Sequence, residues 1–383
     1  MPTIRIAHVI TRLDPGGSTE NTLLTAAAFG PPAFESWVVH GPLRAGAPPT
    51  SPPGAAAVRL VEVPALCRNA APLRDARALL ALTRLLRRGR FDIVHTHTSK
   101  AGFLGRLAAR LAGVPRILHT PHGHVFNGYF GPAATWAFIV LERWAARFTE
   151  RIITLTEAEA EQHLALRVGR PGQFVTIPSG VDLDRVRAAA HRAPQVRRAL
   201  GIPADAPLAG AASRLAPVKG IAHLVAAMPE VLVQCPGAHL VLAGDGEERA
   251  ALEARAAALG MASRVHFLGF REDVDAVIAA LDVFVLPSLN EGMGRVLVAA
   301  MALGVPVVAT RVGGVADVVE DGRQGLLVPP ADPAALAKSI AAILGDGMRA
   351  ASMGALGRPR AERFGLQVML ERLAALYRMT HDN

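Results

Sequence analysis

Two hydrophobic rhythms alternate along the whole chain. Short, nearly continuous apolar runs rich in Val, Ile and Leu are separated by longer stretches whose apolar positions return every three or four residues. The runs predict strands and the longer stretches predict helices. In the first half strands are expected at 4–10, 36–40, 58–63, 91–96, 116–120, 152–155 and 174–177, with helices at 74–88, 101–112, 135–148 and 157–167. In the second half strands are expected at 208–212, 239–243, 265–268, 283–286, 307–309 and 326–328. The intervening helices fall at 221–234, 247–259, 273–280, 294–302 and 333–344. Continuous apolar strands separated by helices imply parallel sheets covered on both faces, an α/β fold.

Segment 179–206 breaks the rhythm with a Ser-Gly-Val-Asp turn, a short Arg-rich helix and prolines at 194 and 203, and reads as an interdomain linker. The proline-rich stretch 41–57 has no regular pattern and reads as a mobile loop. A Gly/Pro-containing break is expected at 354–359, before a last helix at 361–379. At 383 residues the chain is too long for one core. The expected division is 1–190, 191–360 and a terminal segment, 361–383, crossing back to the first domain. Two doubly wound, Rossmann-like domains leave a cleft, where such folds bind ligands at strand C-termini.

The net charge of +9 is unevenly placed: residues 1–190 hold 22 Lys+Arg against 13 Asp+Glu, and residues 191–383 hold 19 of each. A basic half suits a nucleic acid, an anionic membrane surface or a phosphorylated substrate, or it is simply a solvated helix face at Arg84, Arg87, Arg88 and Arg90. No aromatic platform accompanies the charge, which argues against a nucleic-acid partner. Cys67 and Cys235 lie far apart without metal-ligand spacing, so neither a disulfide framework nor a zinc site is expected. With no signal-like start and no uncharged run long enough to span a bilayer, the chain reads as cytoplasmic, at most peripheral to the inner face of the membrane. An expected helix at 135–148, carrying Trp136, Phe138, Ile139 and Trp144 with Arg143 and Arg147, suits such a surface or a half-buried domain position.

Candidate chemistry gathers at strand ends. Asn290-Glu291-Gly292-Met293-Gly294-Arg295 follows the strand at 283–286 and opens a helix, so it is either a phosphate or sugar-hydroxyl cradle or a capped helix start. Ser213-Arg214 and Lys219-Gly220 follow the strand at 208–212; two cations five apart clamp a pyrophosphate or stand in a solvated loop. Gly244-Asp245-Gly246 reads as a turn in the same rim. In the first half, the Gly16-Gly17 pair lets backbone approach a phosphate or forms a turn. His122, after the strand at 116–120, is positioned for a hydroxyl or as a base, or is structural. His95 and His97 share one strand face by their spacing of two. With no nearby cysteine or spaced carboxylate they are not expected to bind a metal.

Together these segments resemble the retaining glycosyltransferase family 4, whose members share the GT-B architecture. The resemblance runs through Gly16-Gly17, HTHTSKAGFLG (95–105), TPHGHVF (120–126), SRLAPVKG (213–220), AGDGE (243–247) and, most specifically, LPSLNEGMGRVLVAAMALGVPVVATRVGG (286–314). It implies an acceptor-side first domain and a nucleotide-sugar-binding second domain. Arg214 and Lys219 would bind the donor diphosphate, and Glu291 would bind hydroxyls of the transferred sugar. Gly292, Met293 and Gly294 would supply backbone contacts, His122 would contact the sugar near the reaction centre, and Gly17 would approach the donor phosphate or the acceptor. Asn290, Arg295 and Asp245 complete the expected donor rim. The family habit is UDP as nucleotide, no metal or cofactor, and a glycan or lipid-diphosphate acceptor in surface polysaccharide or glycolipid assembly.

One departure stands out. The family signature has a second glutamate eight positions after Glu291, where this chain has Ala299. In relatives that carboxylate holds the ribose hydroxyls, so weakened donor binding is expected. A degenerate binding or scaffold protein and a sugar-nucleotide 2-epimerase are the competing readings. A nicotinamide dehydrogenase is disfavoured, because no G-x-G-x-x-G follows the first strand.

Overall fold

The computed structural model describes residues 3–14, 16–43, 58–123 and 131–382. Most of the loop expected at 41–57, and His124, Val125 and Phe126 of the TPHGHVF motif, lie outside the described residues. The chain forms two compact units, Met1–Ser179 with Met369–Asn383, and Gly180–Val368.

The first unit holds strands β1 (Ile4–Ile10), β2 (Phe34–His40), β3 (Arg59–Glu62), β4 (Ile93–His97), β5 (Arg116–Thr120), β6 (Arg151–Thr154) and β7 (Phe174–Thr176). They form one sheet in the order β3-β2-β1-β4-β5-β6-β7, with every pairing parallel. The second unit holds β8 (Leu208–Ala212), β9 (His239–Ala243), β10 (Val265–Gly269), β11 (Val283–Leu286), β12 (Val307–Thr310) and β13 (Gly325–Val328). Their order is β10-β9-β8-β11-β12-β13, again all parallel. Each sheet winds outward from its first strand to one edge, then restarts beside that first strand. Each unit is therefore doubly wound, with its switch point between β1 and β4 or between β8 and β11.

Burial explains the strands. β8, β11 and β12 are buried throughout, as strands covered on both faces must be. The helix Pro72–Gly89 buries Ala78, Leu82 and Leu86, four residues apart, while Arg84, Arg87, Arg88 and Arg90 stand exposed. This part of the basic surplus is a solvated helix face. In β4 the pattern is different. His95, Thr96 and His97 are as buried as the valines around them, so polar groups occupy core positions beside a switch point.

Three sequence expectations are revised. Segment 180–206 is packed structure of the second unit: Val181 N–H donates to Phe364 O (3.0 Å), and Arg197 donates to Ala280 O (2.9 Å) and Asp282 (2.9 Å). The division therefore falls at 179/180 and not at 190/191, and the return at 368/369 and not at 360/361. Residues 354–359 form no break. They lie inside the helix Gly347–Glu362, where a Cβ on Gly354 would come within 2.0 Å of Gly304 O. That glycine marks close packing against the end of the helix Arg295–Leu303.

Candidate active site

In the second unit the carboxyl ends of β8 and β11 adjoin at the switch point. The chain leaves β8 through Ser213-Arg214 and a 3-10 turn at Pro217–Lys219. Gly220 then adopts a left-handed φ of +64°, and a Cβ there would lie 2.1 Å from Pro287 O. Only glycine lets this loop lie on the one after β11, where Leu289 N–H donates to Val218 O (2.8 Å). The contact brings Lys219 Nζ to 2.6 Å from Glu291 Oε2. Ser288 Oγ donates to the same oxygen (3.2 Å). Behind them Gly314 N–H donates to the carbonyls of Glu291 (3.3 Å) and Gly292 (3.1 Å), fixing the Glu291 backbone from the β12 side.

The other expected donor residues are placed as follows. Arg214 is exposed, and its guanidinium has no partner among the described residues. Asp245 is exposed, accepts from Gly246 N–H (2.8 Å) and faces Arg249 (3.7 Å). Its own carbonyl accepts from Leu215 N–H (2.9 Å), tying the loops after β8 and β9 together. Asn290 and Gly292 are half-buried, while Met293 is buried and turned into the protein. Gly294 opens the helix Arg295–Leu303 with no side-chain cap, leaving first-turn N–H groups to a ligand or water. Arg295 donates to Gly180 O (3.0 Å) and so braces the entry of the second unit. Ala299 is buried within that helix.

In the first unit, buried imidazoles fill the β1/β4 switch point. His8 on β1 is the register partner of His95 on β4. His8 Nδ1 lies 3.1 Å from His97 Nε2, and His97 Nδ1 lies 2.9 Å from His122 Nε2. His95 meets Tyr377 Oη through Nδ1 and Thr120 Oγ1 through Nε2, both at 2.7 Å. His95 and His97 do share one face, with ring centroids 4.2 Å apart. Burial holds His8 down to about 3. Burial, and then the neighbouring imidazoles, hold His95 and His97 well below the ordinary histidine value. Burial thus favours the neutral form of these three rings.

His122 has a left-handed φ of +60°. The turn is anchored from beneath by Glu159, whose carboxylate accepts from Gly123 N–H (3.0 Å) and Leu155 N–H (2.7 Å). Burial raises the Glu159 carboxyl to about 7, against the pull of those two donors. Gly17 is exposed at the start of the helix Gly17–Ala28, directly after β1.

His8, Glu159 and Tyr377 stand outside the motifs of the sequence, and Ser288 lies within the one at 286–314. His8 carried the clearest signal, a titratable residue inside the apolar run IRIAHVI. Ser288 carried a weaker one, three residues before Glu291.

Nitrogens of His8, His95 and His97 lie within 4.8 Å of one another. The donor set suits a metal poorly. Only His8 Nε2 among its nitrogens lacks a partner among the described residues, the others being engaged in hydrogen bonds. Among the described residues, no helix is long and apolar enough to cross a membrane.

The chain matches known families and proteins over most of its length. Residues 16–180 match the model of a glycosyl transferase 4-like domain, and residues 206–346 match that of glycosyl transferases group 1. An Escherichia coli UDP-Gal:alpha-D-GlcNAc-diphosphoundecaprenol alpha-1,3-galactosyltransferase is 34% identical over 274 residues, 71% of either chain. A 2-deoxystreptamine glucosyltransferase of Streptomyces kanamyceticus is 35% identical over 284 residues, 71% of this chain and 73% of that one. The crystal structure of HepE from Anabaena in complex with UDP and glucose superposes with a TM-score of 0.84, covering 97% of this chain and 99% of that one at 24% identity. With both sheets doubly wound and these matches spanning both units, the chain belongs to the glycosyltransferases of family 4, with the GT-B architecture.

Proposed function

We propose that the protein moves a sugar from a UDP-linked donor to a glycan or lipid-diphosphate acceptor, retaining anomeric configuration and needing no metal. The observation that carries this reading is the Lys219–Glu291 pair at the β8/β11 switch point, with the exposed Arg214 on the same rim. Two cations offer a diphosphate the charge that a divalent ion supplies elsewhere, and they stabilise it as it leaves. Glu291 accepts from sugar hydroxyls while first-turn N–H groups at Gly294 take a phosphate oxygen. Asp245 and Asn290 belong to the same rim, and His122 and Gly17 are assigned to the donor by resemblance. Arg295, Met293 and Ala299 act through the backbone and the helix they build. A UDP-linked donor and a lipid-diphosphate acceptor are supported by the names of the relatives above, and a role in surface polysaccharide or glycolipid assembly follows from that acceptor class.

The test is thermal stabilisation by UDP, GDP and their sugar conjugates. A ligand at a hundred times its Kd adds about 2.7 kcal/mol to the folded state. A shift with UDP and its sugar conjugates, lost in Arg214→Ala, supports the reading. No response to any nucleotide, in the parent or in Ala299→Glu, overturns it and favours the binding or scaffold role that Ala299 suggests.

A peripheral membrane contact belongs to the same proposal. On the helix Pro132–Ala146, Trp136, Val140, Leu141 and Trp144 are exposed, beside exposed Arg143 and Arg147. The opposite face is held by a buried ion pair, Arg106 Nη2 to Glu142 at 2.7 Å. An apolar stripe flanked by arginines matches an anionic interface. Co-sedimentation with anionic vesicles, weakening as salt rises, is expected; no binding at low salt overturns it.

A further inference from the structure

We propose that Ser288 and Thr310 are positioning residues that hold the Glu291 carboxylate by its Oε2 atom and keep it aimed when a diphosphate draws Lys219 away, leaving Oε1 to a sugar hydroxyl. The argument starts from the backbone. The loop between β11 and the helix Arg295–Leu303 is gripped at both ends from the β12 side. At its start Pro287 has no N–H, and strand pairing ends where Leu286 meets Ala309. One residue further along β12, the buried Thr310 hydroxyl reaches Leu286 O (3.3 Å) and Ser288 O (2.5 Å). At its end Gly314 N–H donates to the Glu291 and Gly292 carbonyls, and a Cβ on Gly313 would meet Glu291 O at 1.8 Å. The backbone on both sides of the carboxylate is thus fixed without help from Lys219.

The side chain is held next. Ser288 is fully buried, and from within the same loop its Oγ donates to Glu291 Oε2 at 3.2 Å. Lys219 Nζ donates to that same atom from the loop after β8, at 2.6 Å. A carboxylate offers about four lone-pair positions on its two oxygens. Here both donors meet one oxygen, and Oε1 has no hydrogen-bond partner among the described residues.

The two donors differ in what a ligand does to them. The Lys219 side chain is 25% exposed and within reach of a diphosphate at the rim, whereas Ser288 is closed to solvent. Once the ammonium turns to phosphate, Ser288 is the donor that stays on Oε2. Without it the glutamate regains rotamer freedom, which a sugar hydroxyl must then remove on binding. Thr310 acts one step back, by keeping the Ser288 backbone where its hydroxyl can reach. The positioning follows from these contacts alone; its consequence for a sugar rests on the donor reading of the site.

Two measurements test it, one of them without any ligand. In a crystal structure of ligand-free Lys219→Ala, which mimics the withdrawal of the ammonium, the Glu291 carboxylate is expected to stay on Ser288 Oγ. In Lys219→Ala/Ser288→Ala it is expected to lose its single position. A carboxylate that leaves Ser288 in the first variant, or keeps its place in the second, overturns the proposal. The other measurement is calorimetric titration with UDP and UDP-glucose, with melting curves beside it. Ser288→Ala is expected to weaken UDP-glucose about three- to tenfold while UDP changes less than about twofold, the worth of one neutral hydrogen bond. Thr310→Val, which keeps the shape and removes the hydroxyl, is expected to move the two ligands in the same way, and Thr310→Ser to restore the parent ratio. Equal losses for UDP and UDP-glucose, or no rescue by Thr310→Ser, would make these residues merely structural and overturn the proposal. No binding of either ligand by the parent overturns the donor reading instead, and the crystal structures then decide the positioning by themselves.

Discussion

Lys219 Nζ lies 2.6 Å from Glu291 Oε2, and the two side chains come from loops that follow adjacent parallel strands. Residues expected to serve separate parts of a donor are each other's counter-ion when no donor is present. A diphosphate arriving at Lys219 therefore competes with Glu291, and a sugar hydroxyl donating to Glu291 loosens that competition. Lys219→Ala is expected to weaken UDP about ten- to hundredfold, the worth of one charged hydrogen bond. Glu291→Gln is expected to leave UDP as tight or tighter while removing the added affinity of UDP-glucose. Calorimetric titration of the two ligands checks both.

Ala299 sits where the family carries a ribose-binding glutamate. Ala299→Glu is expected to tighten UDP by about ten- to hundredfold, with no gain for inorganic pyrophosphate, which has no ribose. Because Ala299 is buried, its melting temperature belongs beside the titration.

Stability is expected to fall steeply as the pH drops below about 6.5. His8, His95, His97 and His119 are held neutral by burial, so they take up protons only when the chain unfolds. Their folded values are depressed, and the stability they allow is lost as pH falls. Glu159 opposes them. Its value is raised to about 7, so the folded state holds its proton over the range where the unfolded carboxyl has lost it. These histidines gain protons on unfolding while Glu159 releases one, so stability slopes downward as the pH falls below the ordinary histidine value of 6.5. Glu159→Gln removes the opposing proton and is expected to steepen that slope. Urea titrations across the range measure it.

Gly354→Ala is expected to destabilise the second unit by at least about 1–3 kcal/mol, because its Cβ meets the Gly304 carbonyl at 2.0 Å. Gly347→Ala, on the same helix with nothing within 4 Å, is expected to stay within about 0.5 kcal/mol of the parent. Equal melting curves for the two variants would contradict the packing.

The strands were legible because a parallel strand buried on both faces is written as an unbroken apolar run, and the expected β1, β5, β8, β9 and β11 agree with the structure to the residue. Gly354 and Pro359 misled because the sequence does not distinguish a glycine that ends a helix from one that lets two helices touch. At the candidate site, Glu291, Lys219 and the paired histidines announced themselves by position after strands. Their partners did not. Tyr377 comes 282 residues after the His95 it bonds, and no local pattern joins them. Glu159 read as one more acid on a helix, and only the fold shows its carboxylate under the His122 turn.

The first unit is discontinuous in sequence: the chain leaves it at Ser179 and re-enters it at Met369. Tyr377 is fully buried there and bonds His95, and Asn21 donates to both Ser179 Oγ (2.7 Å) and Met369 sulfur (3.0 Å). On a translating ribosome the second unit is complete once residue 368 has emerged, whereas the first, though begun earlier, lacks its closing helix until the residues after 368 have followed. A chain cut short after residue 368 would therefore spare the half made second and cripple the half made first.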